Sequence, residues 1–254
     1  MRSAAEPVAG ASGRAELRIG RVVWLDDGSA ASPRALAAAL ELSRPHHARL
    51  SRIGVAGPAG AGADLDAILA RSAGADLIVM GDAGPSAAGL AGLAGAVLRQ
   101  ARCPVLLVRG GLRRPPRILC PIEFSDASRA SLAWAAALAR AAGVGLVLVH
   151  VFEWFPDEPR DQDALLVPEF HTDLAASARD AMRRLGREAG VEAELVVATG
   201  APHRQILRVA RGRGIDLIVL GAHGRRGVDR QLPGGTTSHV LRQADCSVLS
   251  VRPC

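Results

Sequence analysis

Lysine and tyrosine are absent from this 254-residue chain, and all 31 of its basic side chains are arginine. With alanine so abundant, that bias reads as genomic base composition rather than function. Without lysine there is no Gly-Lys-Ser/Thr of a P-loop, and the GxGxxG dinucleotide fingerprint is missing too. Aromatic residues make up only 3%. The net charge of +6 permits attraction to polyanions, but the arginines are scattered. A nucleic-acid surface calls for a basic stripe with stacking rings, so no nucleic-acid partner is expected.

Long hydrophobic runs are missing as well. The longest, such as GVGLVLVHVF (143–152), falls short of the ~18–20 residues of a membrane helix, and no membrane partner is expected. Residues 1–16 are rich in Ala, Gly, Ser and Pro and have no apolar centre to serve as a signal peptide. They are expected to form a disordered tail, with a cytoplasmic location as the default. The four cysteines, Cys103, Cys120, Cys246 and Cys254, form no CxxC pair; they read as small buried hydrophobes in a reducing compartment. His46 and His47 are adjacent and so point in different directions, which fits a polar connection better than a metal site.

The chain contains an internal repeat. ADLIVMGDAG (75–84) matches IDLIVLGAHG (215–224), and AVLRQARCPVLLVRG (96–110) matches HVLRQADCSVLSVRP (239–253). RIGRVVWLDDGSAASPRALAAALEL (18–42) loosely matches RILCPIEFSDASRASLAWAAALARA (117–141). Each half alternates short Val/Ile/Leu runs with Ala-rich helical stretches, the pattern of parallel strands covered on both faces. The fold class predicted is α/β: two tandem doubly wound parallel-sheet, Rossmann-like domains with helices on both faces. The first, 17–110, is reduced, with room for one strand-helix unit fewer; 111–116 is a Pro/Arg linker; the second, 117–254, is complete. Ser125 or Asp126 is positioned to cap the first helix of the second half, and Gly143 to end it.

GAHGRRGVDRQLPGGTTS (221–238) follows the apolar run IDLIVL. In an open parallel sheet, ligands bind beyond the carboxyl ends of the strands. Gly221 and Gly224 allow close backbone approach, and Gly234 and Gly235 precede TTSHVLRQ, which reads as a helix start. Free N–H groups and a positive helix end would face an anion there. Thr236 and Thr237 add hydroxyls; Arg225, Arg226 and Arg230 add countercharge. From the glycines alone, an Ω-like surface loop capped by threonine fits equally well.

The second half resembles the universal stress protein family over residues 117–252. The resemblance rests on RILCPIEFSDASRASL, LVLVHVFEW, TGAPHRQIL, DLIVLGAHGRRG and HVLRQADCSVLSVR. The family signature G-x2-G-x9-G-[ST] is matched by Gly221, Gly224 and Gly234. Residues 17–109 resemble the same family more weakly, so the whole is similar to a tandem universal stress protein. The resemblance implies ATP as cofactor, with magnesium as an optional companion, in the second half. Glu123 stands where the family has an aspartate near the adenosine, flanked by Pro121, Ile122 and Ser125. The backbone of Val151 matches the residue that reads the adenine edge. Gly221, His223 and Gly224 would line the ribose and phosphates, and Gly234, Gly235, Thr236 and Thr237 would cradle the phosphate chain. Two positions depart from the pattern: Glu123 is one methylene too long, and Gly235 replaces the hydroxyl residue. The first-half loop is three residues shorter and lacks Ser or Thr at the phosphate end, so no nucleotide is expected there.

No GxSxG, HExxH or paired Cys/His unit is present, and DEPRDQD (157–163) reads as a solvated loop. The expected role is therefore not enzymatic beyond slow ATP hydrolysis: a nucleotide-linked switch or adaptor for an unknown signalling partner. The alternative is a homologue that has lost nucleotide and serves only protein interaction. An enzyme of the wider adenine-nucleotide α-hydrolase class would show HxGH or SGGxD, which are absent. The family's last strand commonly pairs with that of a partner domain, so PVLLVRG (104–110) and CSVLSVR (246–252) are expected to pair within the chain, and a homodimer of the whole chain is plausible.

Overall fold

The computed structural model describes residues 8–9, 15–55, 65–82, 92–110, 115–153, 168–222 and 235–252. Within the stretch expected as a tail, Val8–Ala9 (β1) and Ala15–Glu16 (β2) form a two-residue antiparallel ladder. From there strands and helices alternate. The first half runs β3 (Arg21–Asp26), α1 (Ser32–Ser43), β4 (Arg49–Gly54), α2 (Leu65–Arg71), β5 (Leu77–Gly81), α3 (Leu93–Gln100) and β6 (Val105–Val108). The second runs β7 (Ile118–Pro121), α4 (Asp126–Ala142), β8 (Leu146–Phe152), α5 (Pro168–Glu188), β9 (Ala193–Thr199), α6 (Pro202–Gly212), β10 (Leu217–Gly221), α7 (Thr236–Gln243) and β11 (Ser247–Val251).

Nine strands form one sheet in the order β4-β3-β5-β6-β11-β10-β7-β8-β9. Within each half every pairing is parallel. The halves meet at β6 and β11, which pair antiparallel with Leu106 opposite Leu249. Among the described residues, the first half has no counterpart of α5 and β9, so the missing strand-helix unit is the outermost one. Its β4 therefore lies at the rim of the sheet, whereas β8 is covered by β9.

Successive strand residues face opposite sides, and both sides are apolar. Leu77, Val79, Leu217, Val219 and Leu249 point to the face covered by α1, α4 and α5, with Ala35, Ala39, Leu132 and Met182. Ile78, Met80, Ile218, Leu220 and Val248 point to the other face, with Ile68 from α2, Val97 from α3, Ile206 from α6 and Val240 from α7. Burial on both sides is why LIVMG and LIVLG read as unbroken apolar runs. α4 is bounded as its sequence predicts. The Ser125 hydroxyl accepts from Ser128 N–H at 3.2 Å, and Gly143 ends the helix at φ +66°.

The two halves repeat small polar devices. Asp76 accepts the Arg21 N–H at 2.8 Å, and Asp216 accepts the Arg117 N–H at 2.8 Å. The Arg21 guanidinium reaches Ala73 O at 2.7 Å, and that of Arg117 reaches Arg213 O at 2.8 Å. Gly81 and Gly221 each lie against the start of a helix. A Cβ at Gly81 would sit 2.6 Å from the carbonyl carbon of Ala31, and one at Gly221 would sit 2.9 Å from Ala127 Cβ.

The carboxyl end of β3 is closed by its own side chains. Asp26 accepts from the Ser32 hydroxyl at 2.7 Å and from Arg52 Nε at 2.9 Å. Arg52 lies 5.7 Å from the centre of the Trp24 ring. The Ser32 hydrogen bond, helped by Gly28 N–H and Arg52, holds the Asp26 carboxyl below its ordinary value.

Two outcomes are expected. Gly81→Ala pushes backbone atoms apart and lowers stability by about 1–3 kcal/mol, measured by urea denaturation with an unchanged slope. Asp26 contributes stability above its unfolded pKa of about 4 and loses it as pH falls through its lower folded value. The advantage in urea midpoint of wild type over Asp26→Ala should therefore be larger at about pH 6 and shrink as pH falls below about 4.

Candidate functional site

The chain leaves β7 for β8 and β9 on one side, then crosses back to β10 on the other. The carboxyl ends of β7 and β10 therefore flank the point where strand order reverses, the place where a crevice opens in a doubly wound sheet. Three segments converge there: the β7–α4 turn, the end of β8, and the junction of Gly221 with the start of α7.

The β7–α4 turn carries Pro121, Ile122, Glu123 and Ser125. Pro121 is the last residue of β7. Ile122 N–H still bonds Val149 O at 2.8 Å and so extends the ladder by one residue. Phe124 then adopts φ +62°, where the first half has Gly28 at φ +68°. That conformation is unfavourable for an aromatic residue. The Phe124 ring packs 4.9 Å from His150, whose Nδ1 lies 2.7 Å from Ile122 O, and Phe152 meets the His150 ring edge-on at 4.7 Å. This cluster holds the turn in place. Glu123 uses its extra methylene to fold back, and its Oε1 accepts the Ser125 hydroxyl at 2.7 Å. Its carboxylate thus sits at the N-terminus of α4, where the helix dipole favours negative charge.

Val151 lies beside the turn, two residues beyond Val149 on β8. Val149 O faces β7, as its bond to Ile122 shows, while Phe152 O faces β9, bonding Gly200 N–H at 2.9 Å. Peptide groups alternate sides along a strand. The Val151 N–H and C=O therefore face the β7 side, beyond the residue at which β7 turns away.

Gly221 ends β10. Its carbonyl accepts the Thr237 hydroxyl at 2.8 Å, and Ala222 N–H bonds Val251 O at 2.7 Å. Gly235 precedes α7 with φ −69° and ψ 154° and offers no side-chain cap. Among the described residues, a Cβ on Gly235 would meet nothing within 4 Å, which leaves space there for a larger residue. The first turn of α7 leaves its N–H groups without intrahelical partners. The structure thus brings Pro121, Ile122, Glu123, Ser125, Val151, Gly221, Gly235, Thr236 and Thr237 to one end of the sheet. His223, Gly224 and Gly234 lie outside the described residues, as do Arg225, Arg226, Arg230 and the 157–163 acidic stretch.

Two features were not anticipated. Gly221, read as a ligand-lining glycine, also makes the close approach to Ala127; Gly81 makes the same approach in the first half, so this glycine is required by packing. His239 is half-buried and stacks on His203 of α6 with ring centres 4.3 Å apart and planes 22° from parallel. Burial, then the neighbouring His239 and Arg204, lower the His203 pKa. The spacing of TGAPHRQIL and TTSHVLRQ puts a histidine in the early part of each helix, but only tertiary packing reveals that the two helices abut. Burial pushes the Cys120 thiol up to about 12 and the Cys246 thiol to about 11, so both are inert at neutral pH. Among the described residues, no three His, Cys, Asp or Glu side chains are grouped to hold a metal ion, and no helix is long and apolar enough to cross a membrane.

The universal stress protein family model matches residues 55–109 and 116–252, more than half of the chain in two consecutive segments. The chain is 26% identical over 152 residues to universal stress protein MJ0577 of Methanocaldococcus jannaschii, covering 54% of this chain and 94% of that one. It is 33% identical over 149 residues to a universal stress protein of Thermus aquaticus, covering 53% of this chain and 97% of that one. A crystal structure of a universal stress protein from Archaeoglobus fulgidus shares the fold over 92% of this chain and 97% of its own, with a TM-score of 0.64 at 17% identity. The single-unit relatives match almost whole to half of this chain, the family model recurs along it, and the α/β sheet agrees: the chain belongs to the universal stress protein family.

Proposed function

We propose that the protein is a cytoplasmic stress-response switch or adaptor that binds ATP in its second half. The observation that carries this reading is the bond from Thr237 to Gly221 O at the reversal of strand order. It holds the two ends of the family-spaced glycine loop beside the β7–α4 turn. The free Val151 backbone edge suits an adenine, and Glu123 with Ser125 stands beside the ribose position. His223, Gly224 and Gly234 belong to the same loop in sequence. The N–H groups of the first turn of α7, together with Gly235 and the Thr236 hydroxyl, suit a phosphate chain, with magnesium as its companion ion. Thr237 acts differently: its one proton is committed to Gly221 O, so it tethers the helix and does not donate to phosphate. Bound ATP would supply a negative charge that draws α7 and the loop together and so favours one conformation over another.

A second reading, a pure interaction module, is favoured by the internal engagement of Glu123 and Thr237. Calorimetric titration separates the two. ATP binding with one site per chain supports the switch; no heat at millimolar ATP overturns it, and two sites per chain overturn the expectation of an empty first half. Gly234→Val should abolish binding by filling the phosphate space. Gly235→Ser fits the open space and restores a donor, so affinity should rise by about tenfold or less.

A further inference from the structure

We propose that Arg109, which belongs to the first half, is a positioning residue for the phosphate-binding helix of the second. The proposal rests on the reading of α7 as that helix. Arg109 follows β6 and crosses the junction between the halves. Its Nη1 donates to Ala244 O at 2.7 Å and its Nη2 to Leu241 O at 2.5 Å, capping the last turn of α7. Its Nε and Nη2 also donate to Asp82 Oδ2, at 2.8 and 2.5 Å. The residue is 3% exposed. Its backbone is pinned too: its N–H donates to Ser247 Oγ at 3.1 Å, and the Ser247 hydroxyl donates to Arg109 O at 3.2 Å.

The repeat supplies an internal control. Arg252 occupies the matching place after β11 and reaches across in the opposite direction, to Leu98 O at 2.8 Å and to Arg99 O at the end of α3. The two arginines are reciprocal but not equal. Asp82 follows Gly81 in the first half, whereas Ala222 follows Gly221 in the second. The buried carboxylate-backed clamp therefore falls on α7, the helix that carries Thr236 and Thr237. The clamp on α3, in the half without phosphate hydroxyls, has no acid at the equivalent position.

Geometry links this clamp to the ligand end. α7 has eight residues and so is about 12 Å long, short enough to move as a rigid rod. Thr237 ties its first turn to Gly221 O, and Arg109 ties its last carbonyls to Asp82. A cation at that end also matches the helix dipole. One tether comes from each half, so the aim of the α7 N–H groups depends on the half that is expected to hold no nucleotide.

The test compares Arg109→Met, Asp82→Asn and Arg252→Met by calorimetry with ATP and with adenosine. Arg109→Met and Asp82→Asn should weaken ATP by about tenfold and leave adenosine within about twofold. Arg252→Met should leave both unchanged. Equal losses for the two arginine variants, or equal losses for ATP and adenosine, would overturn the proposal. If Arg109→Met fails to fold, Asp82→Asn carries the same comparison. Should wild type bind neither ligand, the functional reading fails, and amide exchange decides the inference separately. Without nucleotide, the amides of residues 236–239 should exchange faster in Asp82→Asn than in wild type or Arg252→Met; equal rates would refute the role of the clamp.

Discussion

The antiparallel meeting of β6 and β11 is the constraint on which the rest of the molecule depends. Each is the last strand of its half and is buried throughout. Left unpaired, either would expose an apolar edge with a full set of unsatisfied peptide groups. Joined, they turn two open sheets into one, with ends at β4 and β9. The junction also buries Arg109, and a buried guanidinium is tolerable only when its donors are met. Asp82 and the carbonyls of Leu241 and Ala244 accept from all three of its nitrogens. Removing either partner of such a pair typically costs about 3–5 kcal/mol, so the junction tolerates little rearrangement.

Site and core share atoms at the other end of the sheet. Gly221 is both the last residue of β10 and the only residue type that lets the start of α4 lie so close. Once Gly221 is fixed, so is the distance between the β7–α4 turn and the start of α7. Phe124 shows a similar coupling, since its unfavourable backbone is held by packing on His150, a half-buried ring that also bonds Ile122 O. Packing contacts therefore fix both the β7–α4 turn and the junction of Gly221 with α7.

Much of the fold was legible because burial on both faces leaves a plain mark: LIVMG, LIVLG and VLLV are uninterrupted apolar runs, and Ala-rich helices lie between them. The repeat made the shortened first half visible by simple comparison. Ser125 and Gly143 were readable as helix ends because capping is local chemistry. Direction was not readable. Nothing in TTS says that Thr237 turns back to Gly221 O while Gly235 looks into open space. Nothing in IEFS says that Glu123 folds onto Ser125, or that Phe124 adopts a left-handed backbone. Those outcomes depend on neighbours distant in sequence, such as His150, as does the stacking of His203 on His239.

Among the described residues, the first half lacks a counterpart of α5 and β9, and an outermost unit is the one a sheet can lose. A strand bonded on one side can be deleted without severing a ladder, whereas loss of β3, β5 or β6 would split the sheet. Such a sheet can erode only from its rims inward. The two halves can thus differ at their outer margins while the strands beside the seam keep a common frame.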